Sequence, residues 1–118
     1  MFDEYFEENG IDAIVFASKN GIPIASHIKK RDRSESFSAL SATVMGASEV
    51  IFSGLDKECP EIIEILSKDS IVLIKGIGRS SVLSLLGDSS RKEELKDTLL
   101  EIEQKINEIK RIESERGN

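Results

Sequence analysis

Few side chains in this sequence could do covalent, acid–base or metal chemistry, and their spacing keeps them apart. His27 is the only histidine and Cys59 the only cysteine. Neither stands in a metal-ligand spacing or beside a nucleophile signature. A zinc site needs several N, S or O ligands at once, and a nucleophile needs a base and an orienting group. The acidic pairs Glu7-Glu8 and Glu93-Glu94 fall on polar faces, where carboxylates are solvated. Gly76-Ile77-Gly78-Arg79-Ser80-Ser81 has the glycines of a phosphate cradle, but such cradles lead from a strand into a helix and carry a Lys-Ser/Thr pair. Here a strand pattern follows, so a hairpin turn is expected. On these grounds the chain is read as a non-enzyme with no catalytic residue, no metal site and no cofactor.

One cluster could do ionic work. Lys29, Lys30, Arg31 and Arg33 form the only basic island, diluted by Asp32 and Glu35. It marks a possible contact for an acidic partner, or else a solvated loop between strand and helix.

The elements that hold these residues follow from periodicity. Phe2, Tyr5 and Phe6 fit a short amphipathic helix ending at Asn9-Gly10. Ile11–Ser18 is apolar on both alternating sets, which predicts a strand covered on both faces. Lys19-Asn20-Gly21 supplies a tight turn. The return strand, residues 22–28, carries Pro23, whose missing amide hydrogen places it at a sheet edge. Ser34 and Ser36 could cap a long helix that runs to about Gly54. Residues 60–66 predict a third strand, although Pro60 could also open a helix there. Residues 70–75 and 81–86 form a second hairpin around Gly76-Ile77-Gly78-Arg79. From Ser90 to about Glu115, Leu95, Leu99, Ile102, Ile106 and Ile109 mark an amphipathic helix.

Strands apolar on both faces need helices on both sides, so the expected fold is an α/β (α+β) three-layer sandwich in the order α-β-β-α-β-β-β-α. A meander of the last three strands, with Pro23 at an edge, gives the mainly antiparallel sheet order 2-1-5-4-3.

The middle helix carries the functional argument. Phe37, Leu40, Val44, Ala47, Ile51 and Leu55 form an apolar stripe that is expected to meet the sheet. On the other side Ala39, Ala42, Thr43, Gly46 and Val50 are small and uncharged, and Glu49 is the only charge between Ser36 and Gly54. A small-residue face permits close helix approach, and a second copy of the same helix is its expected cover. Ile63 and Ile65 on the third strand would join that dimer interface if its free edge paired with its mate.

Length and charge bound the rest. With 118 residues, 39% of them hydrophobic and 32% charged, the chain suits one soluble domain, taken as residues 1–118. The uncharged stretch before Glu49 falls short of the roughly 20 apolar residues of a membrane span. A net charge of −6 opposes nucleic acid as a partner. The start Phe2-Asp3-Glu4-Tyr5 lacks the basic and apolar runs of a secretory signal, and a lone cysteine suits a reducing compartment, so a cytoplasmic location is expected. Abundant Ile, Glu and Lys without Trp is a usage met in thermophiles and many archaea.

The sequence resembles the roadblock/dynein light-chain family. Asn20-Gly21-Ile22-Pro23-Ile24-Ala25-Ser26 is similar to the family's first hairpin, and Leu40-Ser41-Ala42-Thr43-Val44-Met45-Gly46-Ala47-Ser48-Glu49 to its small-residue middle helix. Val72-Leu73-Ile74-Lys75-Gly76-Ile77-Gly78 through Val82-Leu83-Ser84-Leu85-Leu86 looks like its last hairpin. The resemblance spans about residues 10–105. It implies a profilin/roadblock-like fold, homodimers or heterodimers joined through the middle helix and third-strand edge, and association with Ras-like small GTPases or with motor and signalling scaffolds. Two departures stand out: a shorter first helix, and a last helix extended to about residue 115. The expected function is a homodimeric scaffold that modulates a small GTPase's nucleotide cycle or localisation. The alternative is a small-molecule-binding sensor domain of related sandwich fold.

Overall fold

The computed structural model describes residues 2, 5, 10–29 and 33–116. Most of the expected first helix lies outside them, as do Glu7 and Glu8. Phe2 and Tyr5 are described, and both are buried. The Tyr5 amide donates to the Phe2 carbonyl at 3.1 Å.

Five strands and two long helices follow in chain order: β1 (Ile11–Ser18), β2 (Pro23–Ile28), α1 (Ser34–Gly54), β3 (Ile62–Leu66), β4 (Ser70–Ile77), β5 (Ser81–Asp88) and α2 (Lys92–Arg116). A 3-10 turn, Ser89–Arg91, leads into α2, and the Asp88 carboxylate caps it by accepting from the Ser90 amide at 2.9 Å. The sheet order is β2-β1-β5-β4-β3, with every neighbouring pair antiparallel. This is the expected order, with β2 at an edge, where Pro23 breaks no ladder. Residues 60–66 do form a strand, shortened to Ile62–Leu66. Gly76 to Ser81 is the β4–β5 hairpin, with Gly78 at φ +64° supplying the turn.

The two faces of the sheet differ in depth. Ile14 and Phe16 of β1, Ile71, Leu73 and Ile77 of β4, and Leu83 and Leu85 of β5 pack under α2. There they meet Leu95, Leu99, Ile102 and Ile106, as the four-three spacing of that helix requires. Each such buried chain contributes about 1.5–3 kcal/mol. The opposite face is shallow. Ala13, Val15 and Ala17 lie there with Val82 and Ser84, and α1 rests on them.

That shallowness settles how α1 is oriented, and it reverses one expectation. The residues of α1 buried against the sheet are Ser38, Ser41, Ala42 and Met45. The Ser41 hydroxyl donates to the Ser84 hydroxyl at 3.1 Å, and Ser84 in turn donates to the Val15 carbonyl at 3.5 Å. Of the stripe expected to meet the sheet, Val44 packs against the Met45, Ile74 and Val82 cluster, and most of the rest is left outside. Leu40, Ile51 and Leu55 are 65%, 61% and 68% exposed, Ala47 is exposed, and Phe37 and Val44 are half-buried. Small residues on a helix and small residues on a sheet allow their backbones to approach closely, and bulky side chains there would hold them apart.

A second close approach reinforces this seat. Gly21, at φ +85° in the β1–β2 turn, lies so near α1 that a Cβ there would meet the Ala39 Cα at 2.9 Å.

Candidate protein-binding surface

The start of α1 carries the first feature. Ser34 and Ser36 do not cap it: Arg33 occupies the cap position without a side-chain cap bond, and the Ser36 hydroxyl donates back to the Arg33 carbonyl at 3.1 Å. Both serines already lie inside the helix, too late to act as caps.

The outer face of α1 is apolar along its length. Leu40, Thr43, Ala47, Val50 and Ile51 are all exposed, as is Leu55 just past the helix end, with Val50 the most open of the large residues at 70%. Glu49 does not interrupt this face. Counting 100° per residue, it falls on the flank that holds Ser38 and Ala42, and it is half-buried. Its Oε1 lies 3.2 Å from Lys19 Nζ on the β1–β2 turn. The helix's one mid-length charge is thus turned inward and paired.

Of the residues assigned to this surface from sequence, Thr43 and Val50 stand on the outer face. Ala39 is exposed at its margin beside the β1–β2 turn, and Gly46 is exposed along the same margin with no described residue within 4 Å of where a Cβ would stand. Ala42 does not belong with them. It is 9% exposed and packs toward the sheet, because it follows Ser38 by one helical turn. Leu40, Ala47 and Ile51, which sequence reasoning sent to the core, take its place. Their signal was present in the run of uncharged residues, but the periodicity of α1 marks two apolar stripes and does not rank them.

On β3, Ile63 and Ile65 share the α1 side of the sheet with Ile74 and Val72. A shallow groove of about 200 Å³ runs there between Phe37, Leu40 and Val44 of α1 and Ile65. Leu66 is 67% exposed at the end of the same strand, whose outer edge faces no other strand of the sheet. The strand is anchored from the other side by charge. Glu64 Oε1 accepts from Lys92 Nζ at 2.9 Å and lies 3.3 Å from Lys96 Nζ, both on α2. The Lys92 hydrogen bond, with help from Lys96, holds the Glu64 carboxyl below its ordinary range despite some desolvation. The Lys92 ammonium is raised by the same hydrogen bond.

The remaining candidates are scattered. His27 lies on β2 and Cys59 in the loop leading to β3, so the sheet order sets them toward opposite edges. Glu93 and Glu94 open α2 on its exposed side, and Glu94 reaches Arg91 at 3.8 Å. Among the described residues no group of three or more His, Cys, Asp or Glu is placed to hold a metal ion, and no helix is long and apolar enough to cross a membrane. Of the basic island, Lys29 pairs with Asp12 at 2.9 Å, Arg33 lines a cavity at the start of α1, and Lys30 and Arg31 lie outside the described residues.

Comparisons with known proteins agree with this architecture. The sequence pattern of the family described as Roadblock/LC7 domain matches residues 1–87. Among solved structures, Myxococcus xanthus MglB is similar with a TM-score of 0.73 and 14% identity, over 90% of this chain and 91% of that one. A Roadblock/LC7 domain from Streptomyces avermitilis gives 0.75 and 12%, over 85% of each. The gliding protein MglB from Thermus thermophilus gives 0.72 and 13%, over 86% of this chain and 78% of that one. At such identities the likeness is one of fold. A comparison with curated protein sequences found no match.

Proposed function

This chain belongs to the Roadblock/LC7 domain family, and from that premise we propose that it is a homodimeric, non-catalytic scaffold that binds a Ras-like small GTPase or signalling partner. In this reading it alters the partner's nucleotide cycle or location and supplies no chemistry of its own. The observation that carries the reading is the uncharged outer face of α1. Monomeric soluble proteins rarely leave a contiguous apolar patch of that extent in water. A two-fold axis lets one such face cover another, Leu40, Thr43, Ala47, Val50 and Ile51 meeting the same set on the mate. Ala39 and Gly46 would stand at the margin of that contact. The edge of β3, with Ile63 and Ile65, lies beside it and could pair with its counterpart, which would also satisfy an edge otherwise open to stray association.

The small-GTPase link comes from the family resemblance. Support for a non-catalytic role comes from the scattered placement of His27, Cys59 and the acidic pairs. Light scattering of the purified chain tests the first half of the reading: dimer mass at tens of micromolar is expected, and a stable monomer would overturn it. The second half is tested with the immobilised chain and lysate of the source organism, supplemented with GDP or a non-hydrolysable GTP analogue. Capture of a Ras-like GTPase that depends on the nucleotide is expected, and identical captures with either nucleotide and with none would count against it.

A further inference from the structure

A cavity of about 490 Å³ lies where the ends of β1, β2 and β5 meet the start of α1. Ile28, Phe37 and Leu86 make its walls apolar, Leu40 borders it on the side shared with the proposed dimer contact, and Lys29 and Arg33 stand on its rim. That volume falls within the roughly 300–1,000 Å³ of ligand sites, but this cavity opens to solvent, and a free small molecule held there would stay partly wet where bound small ligands are mostly buried. A segment of a larger partner does not have that difficulty, because the rest of its surface is covered by its own fold.

Charge selects the kind of segment. Lys29 and Arg33 are the cations among the described lining residues and Asp12 the carboxylate, a local +1 in a chain of net −6. At the cavity itself Asp12 pairs with Lys29 at 2.9 Å, which leaves the Arg33 guanidinium as the uncompensated charge among the described lining residues. Arginine beside an apolar pocket offers a planar fork for a carboxylate next to a site for a large side chain.

We infer that this cavity docks an acidic segment of a partner protein, which seats a Leu- or Phe-sized side chain between Ile28 and Phe37 and sets a carboxylate against Arg33. The family reading leaves open where a non-self partner is held. This contact supplies a place and a chemistry, and it does not require that the partner be a GTPase.

The test uses the full chain and two fluorescein-labelled peptides, Glu-Asp-Leu-Phe-Glu-Asp and its counterpart Lys-Lys-Leu-Phe-Lys-Lys, read by fluorescence anisotropy at low salt. The acidic peptide should bind saturably and at least tenfold more tightly than the basic one. Arg33→Glu should weaken it at least tenfold, and Ile28→Gln several-fold, with circular dichroism unchanged in both variants. Equal affinity for the two peptides, no saturable binding of the acidic one, or full binding by Arg33→Glu would overturn the inference. So would decanoate binding more tightly than the peptide, which would assign the cavity to a free amphiphile. Dimer mass is recorded for each variant: loss of peptide binding only together with loss of the dimer would place the effect at the contact between copies and also overturn it. Peptide binding that persists in a monomeric chain would leave this inference standing and sink the dimer alone.

Discussion

Lys19 Nζ sits 3.2 Å from Glu49 Oε1, bridging the tip of the first hairpin to the middle of α1 on the flank that faces the sheet. Both side chains are about a third exposed, so the pair adds little to stability by itself. Its larger significance is geometric. The pair occupies the helix's one mid-length charge on the flank where helical spacing puts it, and the outer face of α1 carries no charge between Ser36 and Gly54.

Placing a charge at the centre of that face should separate the copies without disturbing the fold. Ala47 is exposed in the single chain, so Ala47→Glu strains nothing within it. In a close helix contact the carboxylate would be desolvated without a partner, which costs several kcal/mol. Dimer affinity should therefore fall at least 100-fold, about 2.7 kcal/mol, by sedimentation or light scattering, with unchanged circular dichroism. A dimer of undiminished affinity would remove α1 from the interface.

The close seat of α1 on the sheet can be probed at Ser41. Ser41→Ala removes one buried hydroxyl bond and should cost about 1 kcal/mol in urea unfolding. Ser41→Leu inserts volume where the shallow sheet face leaves none, and should cost about 2–3 kcal/mol. If the leucine variant proved the more stable of the two, the small residues of α1 would not be the ones facing the sheet.

Gly21 should resist any side chain. Its φ of +85° disfavours other residues, and an added Cβ would stand 2.9 Å from the Ala39 Cα. Gly21→Ala should destabilise by about 1–3 kcal/mol, read as a lowered midpoint in thermal unfolding. A neutral or stabilising outcome would mean that the hairpin tip does not press on α1.

The anchor of β3 has a definite pH signature. Glu64 is held below its ordinary value by the Lys92 hydrogen bond, so its contribution to stability is fully present above about pH 4.5 and is lost as pH falls through the lower folded value. Glu64→Gln removes that contribution at neutral pH but has little left to remove at pH 2–3. The gap in urea midpoint between parent and variant should therefore shrink on acidification. Asp88, whose carboxyl is lowered first by the Ser90 backbone hydrogen bond, titrates in both proteins and cancels in the difference. An equal gap at pH 7 and pH 2.5 would show that Glu64 acts by packing alone.

Much of the frame was legible in the residues themselves. Pro23 forces β2 to an edge, the Gly21 and Gly78 turns fold each hairpin locally, and the stripe from Leu95 to Ile106 on α2 faces one way because its other sides are charged. These are decisions made within a few neighbouring residues, so sequence determines them. The seating of α1 was not such a decision. That helix is uncharged on two sides, and nothing within it says whether Leu40 and Ile51 or Ser41 and Ala42 go inward. The choice was made only when strand register set Ala13, Val15 and Ala17 of β1 beside Ser84 of β5, which follows Val15 by 69 residues in the chain, in one shallow surface that bulky side chains would hold off. Tertiary packing thus turned most of the large apolar stripe outward, drew Ala42 inward, and set Arg33 on the rim of a cavity whose walls come from four separate elements.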